Sequence, residues 1–177
     1  MRLPLAALSI ALSCIVIGFG CQDLPGKGDP STPLPGIDIS HFQGEIDFQK
    51  VARSGVRFVF FKATEGHTYT DPKFTSYWKD AGKTDLIRGA YHFLHPDVDG
   101  ATQAKHFLSV AALKAGDLPP VVDVERMSQS GNANLTRTLE EYLTEIRKRT
   151  GHDAIIYVSP AFWEEHIEKN IGAQLSN

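Results

Sequence analysis

From Gly36 onward the chain alternates two spacings of apolar residues. Short, nearly continuous runs read as strands: Gly36–Ser40 (GIDIS), Arg57–Thr64 (RFVFFKAT), Ile87–Leu94 (IRGAYHFL), Leu118–Glu125 (LPPVVDVE) and Ala154–Ser159 (AIIYVS). Between them apolar side chains recur three and four apart, which puts them on one face of a helix. The sets are Phe48, Val51, Ala52; Phe74, Tyr77, Trp78, Ala81; Ala101, Ala104, Phe107, Leu108, Ala111; Leu135, Leu139, Tyr142, Leu143, Ile146; and Phe162, Trp163, Ile167. Punctuation agrees with the spacing. Asp47 reads as a helix cap, Asp71–Pro72 and Ser159–Pro160 as cap and first turn, and Gly55 and Gly151 as stops. Strands alternating with helices predict an α/β fold with a parallel sheet and right-handed crossovers. An open doubly wound sheet and a barrel both fit this order. In either, a ligand lies at the carboxyl ends of the strands.

Those ends are where polar and aromatic residues gather: Asp38 and Ser40, Lys62 and Glu65, Tyr91 and Phe93, Asp123 and Glu125, Tyr157 and Ser159. The fourth run carries the sharpest chemistry. Pro119 and Pro120 force an extended approach, Val121 and Val122 read as buried, and two carboxylates follow. Side chains alternate along a strand, so Asp123 and Glu125 share a face, with Cα atoms roughly 6.6 Å apart at ~3.3 Å per residue. Close carboxylates push one pKa up and leave the other ionised, the arrangement acid–base chemistry needs. No Gly-rich phosphate loop follows any strand, and no Gly-x-Ser-x-Gly elbow occurs. Carboxylate chemistry is what remains.

Composition narrows the class. The 177 residues are 42% hydrophobic and 22% charged with a net charge of −3, as expected for a globular domain and without the basic tract of a nucleic-acid binder. The two cysteines, Cys14 and Cys21, both precede the patterned region, so no cysteine metal site is expected in it. His92 and His95 stand at a strand end and are not read as a metal site. No cofactor is expected.

The N-terminus has its own character. Leu3 to Phe19 is apolar apart from Pro4, Ser9 and Ser13, and follows Arg2, so residues 1–21 read as a signal peptide. Gly18–Phe19–Gly20–Cys21 resembles a bacterial lipoprotein cleavage site with Cys21 lipidated, although Gly18 stands where that pattern usually has Leu. Plain secretion and an uncleaved membrane anchor are the alternatives. All three place the domain outside the cytoplasm. Residues 22–35 contain Pro25, Pro30, Pro33 and Pro35 with Gly26 and Gly28, a linker composition. Residues 36–177 form the domain.

Four segments, in order, resemble glycoside hydrolase family 25, the Chalaropsis-type lysozymes: Gly36–Ile37–Asp38–Ile39–Ser40–His41–Phe42–Gln43–Gly44; Lys62–Ala63–Thr64–Glu65–Gly66 with Tyr69, Asp71 and Phe74; Arg88–Gly89–Ala90–Tyr91–His92–Phe93 with Gln103, Ala104 and Phe107; and Pro120 to Glu125. The resemblance implies a TIM-like (β/α) barrel and a muramidase that cuts the β-1,4 bond between N-acetylmuramic acid and N-acetylglucosamine of peptidoglycan. It implies Glu125 as general acid, Asp123 as partner of the substrate's acetamido group and Asp38 across the pocket. It implies Tyr91, Phe93 and Tyr157 as aromatic lining that binds the substrate, with Lys62 as a further substrate-binding residue at the rim. Lys62 and Glu65 read equally as a structural ion pair. A monomer is expected.

The chain departs from that pattern after Ser159. Five β/α units are present and the final three strands of the family's barrel are missing, together with a further acidic position. A non-catalytic peptidoglycan-binding lipoprotein derived from a muramidase is therefore the competing reading. A chitinase is disfavoured, because its longer Asp-x-x-Asp-x-Asp-x-Glu run is replaced here by Pro and Val before Asp123.

Overall fold

The structure, a computed structural model, describes residues 33–168. Six strands occur in it: β1 (Gly36–Ile39), β2 (Phe58–Glu65), β3 (Tyr69–Thr70), β4 (Ile87–Phe93), β5 (Val121–Asp123) and β6 (Ile155–Tyr157). The helices are α1 (Phe48–Arg53), α2 (Phe74–Ala81), α3 (Gly100–Ala111), α4 (Asn132–Thr150) and α5 (Pro160–Phe162), the last running on into a π-helical turn, Trp163–Ile167. The stretch read as a signal peptide, most of the stretch read as a linker and the last nine residues lie outside the described residues, as does Cys21.

The parallel strands are ordered β1-β2-β4-β5-β6, each beside the one before it. The order never reverses, which settles the alternatives left open by the pattern: the sheet is not doubly wound but curls one way, as a parallel half-barrel. Its helices pack on one face. That face buries Val59, Phe61 and Ala63 of β2, Ala90 of β4 and Val122 of β5 against Tyr77 of α2, Phe107 of α3 and Leu135, Leu139, Tyr142 and Ile146 of α4. Each Val, Leu, Ile or Phe among them contributes about 1.5–3 kcal/mol when fully buried.

A polar column crosses this core. Thr64 Oγ1 lies 2.7 Å from His92 Nδ1, and His92 Nε2 lies 3.1 Å from Gln103 Oε1. Gln103 Oε1 also accepts from the His95 backbone N–H at 2.9 Å, and its amide donates to the carbonyls of His95 and Val98. An amide oxygen only accepts, so His92 donates through Nε2 and accepts at Nδ1 from Thr64. Burial pushes the His92 pKa down to about 3, so the ring is neutral. Tyr142 stacks on it, ring centres 5.0 Å apart. Through Gln103 this column fixes the loop after β4, which delivers His95 to the rim.

Local chemistry accounts for most boundaries. Asp47 caps α1 by accepting from Lys50 N–H, Gly151 ends α4 with a φ of 74°, and Ser159 caps α5 with Pro160 following. One expectation is corrected. Asp71 does not cap α2, which starts at Phe74 after Lys73. Its carboxylate is committed elsewhere: it accepts from Lys73 N–H at 2.9 Å and from His41 N–H at 3.1 Å, and faces the His41 ring at 2.7 Å. Asp71 ties the loop after β1 to the loop before α2. The short strand β3, antiparallel to β2, is also absent from the sequence reading.

Candidate functional site

The concave face of the sheet is filled at its base and open at its top. Phe58, Phe60 and Val121 form a small apolar plug with Ile87, Leu118 and Ile155 around it. Two glycines make room for it. A Cβ on Gly36 would come within 2.0 Å of the Phe58 ring, and one on Gly89 within 2.3 Å of the Phe60 ring. Above the plug the same face turns polar, because the strand period of two carries each strand upward to Asp38, Lys62, Tyr91, Asp123 and Tyr157.

The pairing register orders these residues. Lys62, Tyr91, Val121 and Ile155 form one row, and Glu65, Phe93, Asp123 and Tyr157 the next. Lys62 and Glu65 are three apart and would lie on opposite faces of a regular strand. A bulge between Lys62 and Thr64 shifts the phase, so Thr64 turns to His92 on the helix side while Glu65 pairs with Phe93. The two charged groups then meet, with Lys62 Nζ 2.5 Å from Glu65 Oε2. His95 Nε2 lies 2.7 Å from Glu65 Oε1 and 3.2 Å from Arg126 Nη1. Lys62 also sits 4.9 Å above the Phe93 ring.

The electrostatics single out Asp123. It is half-buried, its Oδ1 has no hydrogen-bond partner, and its pKa is pushed up to about 8. Burial is the main cause, the charge on Glu125 the next, and Lys62 opposes them. Glu125 and Asp38 are raised as well, Glu125 by desolvation and then by Asp38, Asp38 by desolvation offset by its own backbone N–H. Both are exposed through the open mouth. The walls of the trough, rather than a closed cavity, thin the water around them. Tyr157 is pushed up to about 12 by burial and then by Glu125 and Asp123. Tyr91 moves up for the same reasons, Asp123 acting after burial. Both are neutral phenols near neutral pH. Glu65 moves down: burial alone would raise it, but hydrogen bonds and charge from Lys62 and His95 outweigh that.

Thus Asp38, Asp123, Tyr91, Phe93, Tyr157 and Lys62 share one face of the curled sheet, Glu125 follows just beyond the end of β5, and the charges of the three acids act on one another. His92 does not join them. It is buried on the helix side while His95 reaches the rim, and among the described residues no cluster of three or more His, Cys, Asp or Glu side chains could hold a metal ion. What the sequence reading missed is a cavity of about 410 Å³ next to the trough, bounded by His41, Phe42, Tyr69 and His67 and sharing Lys62 and Glu65 with it. Gly66, which takes a φ of 56° in the turn between β2 and β3, is the sequence signal for the hairpin that forms it.

This geometry agrees with the comparisons. The model of glycosyl hydrolases family 25 matches residues 37–176. The uncharacterized protein YegX of Escherichia coli K12 is 37% identical over 142 residues, covering 77% of this chain and 52% of its own length. The N,O-diacetylmuramidase of Chalaropsis is 34% identical over 145 residues, covering 73% of this chain and 68% of its own. A family 25 glycosyl hydrolase structure from Bacillus anthracis superposes with a TM-score of 0.72 at 29% identity, covering 84% of this chain and 70% of that one. The chain thus spans about half the length of YegX and about two thirds of the Chalaropsis enzyme. A carboxylate-lined trough at the carboxyl ends of a curled parallel sheet, matched over nearly all the described residues, makes the assignment: the chain belongs to glycosyl hydrolase family 25.

Proposed function

We propose that the chain is a muramidase domain acting on the β-1,4 bond between N-acetylmuramic acid and N-acetylglucosamine of peptidoglycan. The observation that carries this is the buried, unpartnered Oδ1 of Asp123 beside Glu125 and Asp38. An orphaned carboxylate oxygen in a polar trough is a place for a substrate donor. An acetamido N–H is such a donor, and bonding to it favours the ionised form of Asp123. The three acids titrate as a group. In the empty trough the proton rests on Asp123; when the acetamide engages Asp123, the proton passes to Glu125, which the bound glycan also covers. Glu125 then donates it to the leaving glycosidic oxygen. The acetamide carbonyl oxygen attacks the anomeric carbon as that bond breaks, forming an oxazolinium ion next to Asp123. Water, deprotonated by Glu125, opens the ring and restores the starting state. This is the substrate-assisted exception to the two-carboxylate scheme. Asp38 holds the sugar and keeps the Glu125 pKa high. Tyr91, Phe93 and Tyr157 offer aromatic faces to sugar rings.

The test is turbidity loss of purified peptidoglycan. Glu125→Gln lowers the rate by about 10²–10⁴-fold if it supplies the proton. No lysis by the unaltered chain, or equal lysis by both, refutes the catalytic reading. The exposure of Glu125 favours a second reading, retention of peptidoglycan without cleavage. Cosedimentation with insoluble cell wall in the absence of released saccharides would establish that one.

The same reading includes a TIM-like (β/α) barrel whose first five units are these strands, a domain without cofactor acting as a monomer, and export. Export rests on the apolar stretch from Leu3 to Phe19. Incorporation of labelled palmitate that disappears in Cys21→Ser distinguishes a lipoprotein from a secreted or anchored form.

A further inference from the structure

Glu125 stands on a span of chain with little support of its own. Its near end is pinned: one residue past β5, the Val124 N–H donates to the Tyr157 carbonyl at 2.9 Å. Beyond that point the ladder stops. Among the described residues the backbone of Glu125, Arg126 and Met127 makes no hydrogen bond, and all three residues are exposed. The Arg126 guanidinium reaches His95 Nε2 at 3.2 Å, and the chain is caught again at the buried Ser128. Three residues outside any ladder stay in one conformation only if their far end is also held.

That far end is held from the neighbouring loop by Asp97. Asp97 Oδ1 accepts from the Ser128 hydroxyl at 2.5 Å and from the Asn134 amide at 3.2 Å, and its Oδ2 accepts from the Gln129 N–H at 3.1 Å. Ser128 Oγ in turn accepts from the Ser130 N–H and the Asn134 amide, each at 3.0 Å. The hydrogen bond from Ser128, then that from Gln129, holds the Asp97 pKa down, so the clamp is charged near neutral pH. Hydrogen bonds to an ionised acceptor are the stronger kind.

The Asp97 side chain is exposed, but the turn that carries it is not loose. The Pro96 carbonyl accepts from Thr138 Oγ1 at 2.9 Å and from the Asn134 amide at 2.8 Å. The Gln103 amide donates to the carbonyls of His95 and Val98, on either side of Asp97. Thr138 and Gln103 are both fully buried. Two buried side chains therefore anchor one exposed carboxylate, which ties the loop after β4 to the loop after β5.

Glu125 shares the trough with Asp38 of β1, Tyr91 of β4, Asp123 of β5 and Tyr157 of β6. A group that passes a proton to a bound substrate has to stay within about 0.5 Å of its productive place. The sheet supplies only one of the two anchors this needs.

We infer that Asp97 is a positioning residue for Glu125: by pinning Ser128 and Gln129 it fixes the far end of the span 125–127, and with it the place of the Glu125 carboxyl in the trough. Its effect on cleavage rests on the reading of Glu125 as proton donor; the placement itself does not.

The experiment follows the Glu125 carboxyl by carbon-detected NMR titration in the unaltered chain, Asp97→Ala and Asp97→Asn, with urea denaturation alongside. Freed from the trough wall, Glu125 loses the burial and the charge of Asp38 that raise it, so in Asp97→Ala its pKa falls toward the ordinary 4.5. Asparagine keeps one of the two acceptor oxygens and recovers part of the difference. On peptidoglycan, Asp97→Ala lowers kcat by up to about 10²-fold and leaves KM nearly unchanged. An unmoved Glu125 titration overturns the inference, whether stability falls or not; a fall in stability alone makes Asp97 a structural tie. A moved titration in a chain that lyses no peptidoglycan upholds the placement and removes the catalytic reading of Glu125.

Discussion

Asp123→Asn tests the electrostatics of the trough without any substrate. Folded Asp123 keeps its proton to about pH 8, whereas an ordinary aspartate releases it near 3.8. Between those values the folded state binds more protons than the unfolded chain, so this group lowers stability as pH rises through the window. The full difference corresponds to roughly 6 kcal/mol at about 1.36 kcal/mol per pH unit. Water in the open mouth screens it, leaving roughly 2–3 kcal/mol. Asparagine has the same shape and no proton to lose. The variant is therefore as stable as the parent near pH 4 and more stable at pH 9 by that amount, or by roughly 5–10 °C in Tm for a chain of this size. His92, held down to about pH 3 by burial, makes stability rise with pH between about 3 and 6.5 in both proteins and cancels in the difference. Urea denaturation at half-unit steps from pH 4 to 9 measures it. Parallel curves for the two proteins across the whole window would refute the raised pKa and, with it, the shared-proton scheme.

Three further outcomes follow from contacts described above. Lys62→Met removes the cation that opposes the rise at Asp123 and one that lowers Glu65, so both carboxyl pKa values move up in a carbon-detected NMR titration; an unchanged Asp123 would show that Lys62 does not act on it. Gly89→Ala drives a methyl into the Phe60 ring and costs about 1–3 kcal/mol in urea denaturation, with Gly89→Ala/Phe60→Leu recovering part of it; no recovery would mean the ring is not the obstacle. Gln103→Leu strands His92 Nε2 and the His95 N–H, costs about 1–3 kcal/mol, and loosens His95 from Glu65, visible as faster amide exchange at His95; unchanged exchange would sever the column from the rim.

The repeating pattern made the architecture legible. Short continuous apolar runs and the 3.6-residue period identified five strands and their helices, because burial is a local property of sequence. The strand expected to run through Glu125 ends at Asp123, and Glu125 acts on Asp123 electrostatically from just beyond it. Whether the sheet was doubly wound or curled could not be read, since strand order depends on which edges pair. Asp71 was misread because its helix-cap chemistry competes with a contact thirty residues away at His41. Lys62 and Glu65 were seen as a pair, but not why they meet. The cavity beside them was hidden, because His41, Phe42 and Tyr69 come together only once the loop after β1 and the β2–β3 hairpin are tied by Asp71 and the bulge.

That bulge also changes what length variation does to the site. In a regular strand, adding or losing one residue turns every later side chain to the wrong face. Here Ala63 is the surplus residue, so a chain lacking it returns to a strict alternation in which Lys62 and Glu65 still face the trough and Thr64 still faces His92. The rim of β2 is therefore buffered against a one-residue deletion, at the one place where the trough face and the buried column could otherwise be exchanged. Relatives that differ in length at this point can keep the same chemistry, and a comparison that aligns them without a gap will misassign which acid lines the pocket.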